Sequence, residues 1–324
     1  MRTVIGSYGT PPRPLRTDAE FGLLSAGALA IPGVDGLELP YIGSHSPWQD
    51  PTRLGDGRHV LTTVPATMTA VQEQPRFGLA SPDEDARRAA LRLIDEAREF
   101  VEAVNSAPSN SDPSGRARIE TVQLHSAPGA GHSTPDAFAR SLDEIASWEW
   151  HGADLAIEHC DAFVAEHPPA KGFLTLEQEI AAAAERDLGI VINWGRSVIE
   201  TRTADGAVDH IAAAAAQGSL TGVIFSGCAA VAGAYGDVWE DRHLPIRDWG
   251  AGPLSDAAEA SLLSRAEVER CVRLALQVPG LQYFGVKVKA PAIAEPTQWL
   301  DVVAGNFAVL TETMSAVGAG DSES

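Results

Sequence analysis

GIVINWGRS (189–197) carries three aliphatic residues after its first glycine, Ile190, Val191 and Ile192, followed by Asn193, Trp194 and Arg196. A run this short and uniformly apolar suits a strand buried on both faces beneath covering helices. The same form recurs on either side of it. LAIEHCD (155–161) precedes it, and GVIFSGCAA (222–230) and the loop WEDRHLPI (239–246) follow. In each, polar and charged side chains gather at the end of the apolar run.

Working outward, eight such runs can be read along the chain: 3–9, 35–43, 59–67, 119–126, 154–161, 189–197, 220–227 and 283–290. Amphipathic stretches of helical period separate most of them, which is the pattern of repeated βα units around a parallel sheet. Helix starts are marked by Ser81-Pro82-Asp83-Glu84, by Thr175 with Gln178 and by Ser264 with Glu267, each placing a side-chain oxygen where backbone N–H groups lack partners. The second helix is weak, little more than a turn over 47–54, and the alanine strings 181–184 and 212–216 read as helix interiors. Eight units in 324 residues predict one α/β domain, a single (β/α)8 TIM barrel spanning 1–324. Residues 106–118, rich in Ser, Pro, Asn and Asp, are expected to form an exposed loop, and 318–324 a frayed tail.

Composition narrows the partners. A net charge of −20, with no Lys/Arg cluster to offset it locally, opposes binding to a nucleic-acid backbone. No stretch of eighteen or more apolar residues suggests a membrane span, and the start MRTVIGSYG resembles no export signal. Three cysteines, Cys160, Cys228 and Cys271, lie on separate elements, which argues against a disulfide framework or thiolate zinc site and fits a reducing cytoplasm. Nucleotide-binding glycine loops of the GxxxxGK[ST] and GxGxxG kinds and a GxSxG nucleophile elbow are absent. Phosphate loops that would accompany a pyridoxal lysine, and a carboxylate opposite Glu158 for glycosidase chemistry, are not evident either. Self-association is compatible with this reading, although nothing in the sequence marks the surface.

A barrel carries its chemistry at the carboxyl ends of its strands. Those ends offer Glu38, His125, Glu158, His159, Asp161, Asn193, Arg196, Ser226, Lys287 and Lys289, with Asp241, Arg242 and His243 on the loop after the seventh run. Tyr8, Trp48, Trp194, Trp239 and Trp249 lie in or near these loops, where aromatic faces could line a ligand pocket or simply pack the loops. Alternation along a strand sends Glu158 and His159 to opposite faces, so if Glu158 points inward His159 packs against helices. Two lysines facing helices would be costly to bury, which turns Lys287 and Lys289 toward the barrel interior or mouth. Arg196 is expected in the pocket or clamping a loop carboxylate such as Asp161.

These segments, in this order, resemble the divalent-metal centre of the xylose-isomerase-like TIM barrels, sugar isomerases and epimerases whose superfamily also contains endonuclease IV. The resemblance is close in the second half of the chain and topological in the first. It places Glu158 at the ligand Glu of the fifth strand and matches the family's Asp-x-x-His by Asn193-x-x-Arg196. Ser226 stands where a ligand His is usual, and Lys287, or Lys289 if the register slips by two, where a second bridging Glu closes the eighth strand. Asp241-Arg242-His243 resembles a segment of endonuclease IV whose acid and imidazole bind metal.

Hard divalent cations need several, mostly anionic, oxygen ligands. One surviving carboxylate, an amide and two cations make a poor cage, so no cofactor is expected; the alternative is Mn, Mg or Zn held by Glu158, Asp241 and His243. The resemblance then implies an isomerase, epimerase or lyase of carbohydrate metabolism that moves a proton beside a carbonyl of a sugar, keto-sugar or sugar acid. Arg196 and Lys287 would supply the positive charge. Glu158 would pair with Lys287 or serve as base, with His125 or His159 completing the acid–base couple. Asn193, Trp194, Ser226, Asp241, His243, Lys289, Glu38 and Tyr8 would bind the substrate. The other reading is a non-catalytic sugar-binding or accessory barrel that lost metal and chemistry together.

Overall fold

A computed structural model describes residues 1–107, 116–129 and 131–320. In chain order the elements are β1 (Arg2–Ile5), α1 (Asp18–Gly22), β2 (Gly36–Pro40), β3 (His59–Thr62), α2 (Val64–Glu73), α3 (Glu84–Asn105), β4 (Ile119–Leu124), α4 (Pro135–Ala146) and β5 (Asp154–His159). They continue with α5 (Leu176–Ala184), β6 (Gly189–Asn193), α6 (Trp194–Thr201), α7 (Asp205–Ala216), β7 (Leu220–Phe225), α8 (Pro253–Asp256), α9 (Arg265–Ala275), β8 (Tyr283–Val286) and α10 (Trp299–Gly320). The strands close a barrel in the order β1 to β8. All eight expected strands are present, each shorter than the apolar run that announced it. Backbone contacts group Glu38–Val191 as one compact unit, and Met1–Leu37 with Ile192 onward as another.

In the unit 38–191, β3, β4 and β5 are parallel neighbours, with Leu61 beside Val122 and Leu124 beside Ile157. All of these side chains are buried, as strands covered on both faces require. The turn expected over 47–54 is a single 3-10 turn, Pro47–Gln49. Helix α3 is capped by Asp83, whose carboxylate accepts from the backbone N–H groups of Asp85 and Ala86, rather than by Ser81. Ser81 sits one step earlier and accepts from Asp83 N at 3.2 Å. Thr175 and Gln178 form the expected reciprocal box at the start of α5. The loop expected at 106–118 falls largely outside the described residues.

In the other unit, β1 pairs with β2 and β8, and β8 with β7, all parallel. Arg2 is only 2% exposed, and its guanidinium lies over the Tyr283 ring at 5.1 Å, a cation–π contact that suits a buried arginine. Ser264 caps α9 as expected. Among the described residues one segment, Pro296–Ala319, is long and apolar enough by length and composition to cross a membrane. It covers α10 as far as Ala319, the barrel's last helix, packed on α9 and β8. That helix continues through Gly318 and Ala319 to Gly320, so the first part of the expected tail is helical, and the rest lies outside the described residues.

Candidate active site

The first cluster belongs to β3, β4 and β5. The register puts Leu124 beside Ile157, so one step further along His125 stands level with Glu158. Both side chains are wholly buried, and His125 Nε2 lies 2.9 Å from Glu158 Oε2. The other ring nitrogen, Nδ1, is 3.2 Å from Thr63 Oγ1, and that hydroxyl donates to the Gln123 carbonyl at 3.0 Å. A carbonyl can only accept, so the hydroxyl proton is committed to it and Thr63 receives the Nδ1 proton of His125. Between Nε2 and the carboxyl group there is then one proton to share. Either the imidazole holds it against a carboxylate, or the carboxylic acid donates it to a neutral ring. This is the state an acid–base couple needs, and exclusion of water strengthens it.

One residue further on, the same strands turn their side chains the other way. His159 Nδ1 lies 2.6 Å from Glu179 Oε2 on α5, with both side chains fully buried, and Ser126 Oγ donates to the other oxygen of Glu179. His159 therefore faces the helix layer, as alternation predicts for an inward Glu158. Asp161 accepts from the backbone of Lys171 at 2.8 Å and of Gly172 at 3.3 Å, which closes the loop after β5. Glu38 is buried on β2.

The second cluster belongs to the unit containing β6 to β8. The run 189–197 stops being a strand at Asn193, whose side-chain oxygen caps α6 by accepting from Arg196 N at 3.4 Å. The Asn-x-x-Arg spacing thus spans a helix cap and its first turn, not one strand. The cap contact engages one of the two lone pairs of the Asn193 side-chain oxygen. Trp194, expected to line the pocket, is fully buried in the first turn of α6 and lies against the Cys271 thiol of α9. Arg196 does clamp a loop carboxylate, but its partner is Asp241 at 3.3 Å rather than Asp161.

Asp241 also reaches His243 Nδ1 at 3.2 Å, and Ser226 Oγ meets the same nitrogen at 2.9 Å. Burial lowers the pKa of the His243 imidazole, Asp241 opposes that, and Lys287 and Arg196 add to it. Lys287, the residue after β8, is wholly buried, with Nζ 3.4 Å from Tyr8 Oη and 5.7 Å from that ring's centre. Its stem lies so close to Gly6 that a Cβ there would meet Lys287 Cγ at 2.9 Å. Lys289 donates its backbone N–H to the His243 carbonyl at 2.7 Å, and burial, then Arg242, lowers its pKa while Asp241 raises it. Arg196, Ser226, Asp241, His243, Lys287, Lys289 and Tyr8 are thus brought together.

Of the remaining aromatics, Trp48 is buried, Trp239 packs under the Arg202 guanidinium at 4.6 Å, and Trp249 fills the space beside Gly305. Thr63 and Glu179 were not anticipated. The signal for Glu179 was present: Leu176, Glu179, Ile180 and Ala183 share one face at helical spacing, which places a carboxylate on a buried stripe. Thr63 carried no such mark, because its partner lies on a strand distant in sequence.

The three cysteines are buried and form no disulfide. Burial pushes the thiols of Cys228 and Cys271 up to about 12. At pH 8 they stay protonated, and the thiolate is the reactive form. An aromatic disulfide reagent is expected to leave these two thiols unmodified for hours in the native protein and to titrate all three at once in denaturant. Rapid native labelling of Cys228 or Cys271 would contradict this placement.

A protein of Salmonella typhimurium (strain LT2), described only as uncharacterized, is 34% identical over 265 residues, covering 79% of each chain. Among solved structures, D-psicose 3-epimerase crystallised in the presence of D-fructose superimposes with a TM-score of 0.58 at 12% identity, over 97% of this chain and 99% of that one. A xylose isomerase domain protein from Alicyclobacillus acidocaldarius gives 0.54 at 10% identity, over 97% and 99%. The fold is that of the xylose-isomerase-like barrels. Residues 4–302 match the family described as "Domain of unknown function (DUF4862)", and the chain belongs to that family.

Proposed function

We propose that the protein is an isomerase, epimerase or lyase that moves a proton next to the carbonyl of a sugar, keto-sugar or sugar acid. The observation that carries this reading is the buried His125–Glu158 hydrogen bond of 2.9 Å, with Thr63 fixing the ring's orientation. Such a couple takes a proton from carbon and returns it to carbon or oxygen. Negative charge then develops on the carbonyl oxygen, where cationic donors stabilise it. The resemblance assigns that role to Arg196 and Lys287.

The relatives' fold raises the question of a divalent ion, and the residues standing at the places of those relatives' ligands do not fit one. Asn193 Oδ1 is engaged in a helix cap, Asp241 is paired with Arg196, and a buried lysine stands at the place of a second carboxylate. A dication beside a guanidinium and an ammonium would be repelled where it most needs anionic ligands. We assign the reaction to the side chains alone. The chemistry we propose for the chain's own residues is acid–base transfer at His125 and Glu158.

The test is incorporation of solvent deuterium into candidate keto-sugars and sugar acids, followed by proton NMR, with metal analysis of the same sample. Expected are exchange at the carbon next to the carbonyl, Mn, Mg and Zn far below stoichiometric, and turnover indifferent to a chelator. Stoichiometric metal with chelator-sensitive exchange would overturn the metal-independent chemistry. Absence of exchange across sugars and sugar acids would overturn the reaction class.

A further inference from the structure

The two strands that carry the proposed acid–base couple present a second pair of polar residues on their opposite face. His125 is followed by Ser126 and Glu158 by His159, so the register that sets His125 beside Glu158 also sets Ser126 beside His159. Both outward side chains reach one carboxyl group. Ser126 Oγ donates to Glu179 Oε1, and His159 Nδ1 lies 2.6 Å from Glu179 Oε2. Glu179 is wholly buried, near the start of α5, in the helix that Thr175 and Gln178 cap reciprocally. Ser126 also accepts from Leu174 N at 3.3 Å, which ties the segment before that helix to the end of β4.

We propose that Glu179 is a positioning residue that sets the distance and angle between His125 and Glu158 by holding the ends of β4 and β5 with one carboxylate. A planar carboxyl group has its two oxygens at a fixed separation, so a serine and a histidine bonded to different oxygens are fixed relative to each other. Each is one peptide unit from a member of the acid–base couple. A displacement of Ser126 moves His125, and one of His159 moves Glu158. A buried carboxylate in an otherwise apolar helix stripe is costly unless hydrogen-bonded on both oxygens, and here both are used. A serine, a histidine and a glutamate buried between strand and helix are poor choices for stability alone, since apolar residues of like volume would serve as well or better. Their use fits the need for angular precision at the inner face, where small misplacements of reacting groups cost large factors in rate.

This rests on the proposed acid–base role of His125 and Glu158, and the experiment separates the two. The full-length protein, labelled with 15N at histidine, is compared by NMR with Glu179→Gln, Glu179→Asp and Ser126→Ala, and with Ser141→Ala as control. Ser141 is a buried serine on α4 that donates to the Leu79 carbonyl at 2.7 Å and has no bond to β4 or β5 among the contacts described. Expected are displaced ring-nitrogen resonances of His125 in Glu179→Gln and Ser126→Ala, larger in the former, with kcat lowered about 10–100-fold, the range for removal of an orienting partner, and KM little changed. Glu179→Asp, which keeps the carboxylate, should restore part of the loss, and Ser141→Ala should leave the His125 signals in place. Unmoved His125 resonances in folded Glu179→Gln, or equal movement in Ser141→Ala, would overturn the proposal. If Glu179→Gln does not fold, Ser126→Ala decides in the same way, because it removes one arm only. If the wild type turns over no sugar, the reaction class fails and the ring-nitrogen shifts still decide the positioning role.

Discussion

Replacing Glu158 by glutamine is expected to lower the rate of solvent-deuterium incorporation by about 10²–10⁴-fold, the range that a positioned acid–base group contributes. The amide has the shape of the carboxyl group and can still bond to His125 Nε2, so the buried pair remains satisfied and the barrel should fold. It cannot take up or release the shared proton. Circular dichroism and a thermal melt establish the fold, and exchange into the substrate measures the chemistry. Exchange within a factor of three of the wild type would remove Glu158 from the mechanism.

Lys287→Met is expected to cost about 10²–10³ in kcat, comparable to losing one preset donor to a developing oxyanion. Methionine keeps an unbranched stem along the surface offered by Gly6, so the space around it stays filled. What disappears is the ammonium beside Tyr8 Oη. If the lysine acts on the transition state, kcat and kcat/KM fall together. A rise in KM with kcat preserved would instead make Lys287 a substrate-binding group with no share in the chemistry.

The barrel was legible because strands covered on both faces must be apolar throughout, and turn-rich or amphipathic segments separate them. His125 and Glu158 could be singled out for the same reason: a charged residue ending such a run has few places to go except the rim. The limits of β6 and α6 were harder to read. Asn193 ends a strand and caps a helix with the same side chain, and Trp194-Gly195-Arg196 carries no periodicity that distinguishes the two. Gly195 itself is required there, since a Cβ would lie 2.3 Å from the Ser226 carbonyl oxygen, a closeness that no local pattern announces. The pairing of Arg196 with Asp241 was out of reach because the two are 45 positions apart, and Asp161 was the carboxylate nearer in the reading order.

Gly6 occupies the first turn past β1 and has no side chain to read, yet it determines what the eighth strand can carry. The aliphatic stem of Lys287 fills the volume that a methyl group at position 6 would claim. Descent of this site with an ammonium at position 287 therefore holds position 6 to glycine, and a lineage that acquires alanine there must shorten or redirect its partner across the strand pair. The two loci are free to drift only jointly, although one of them offers selection no chemistry of its own.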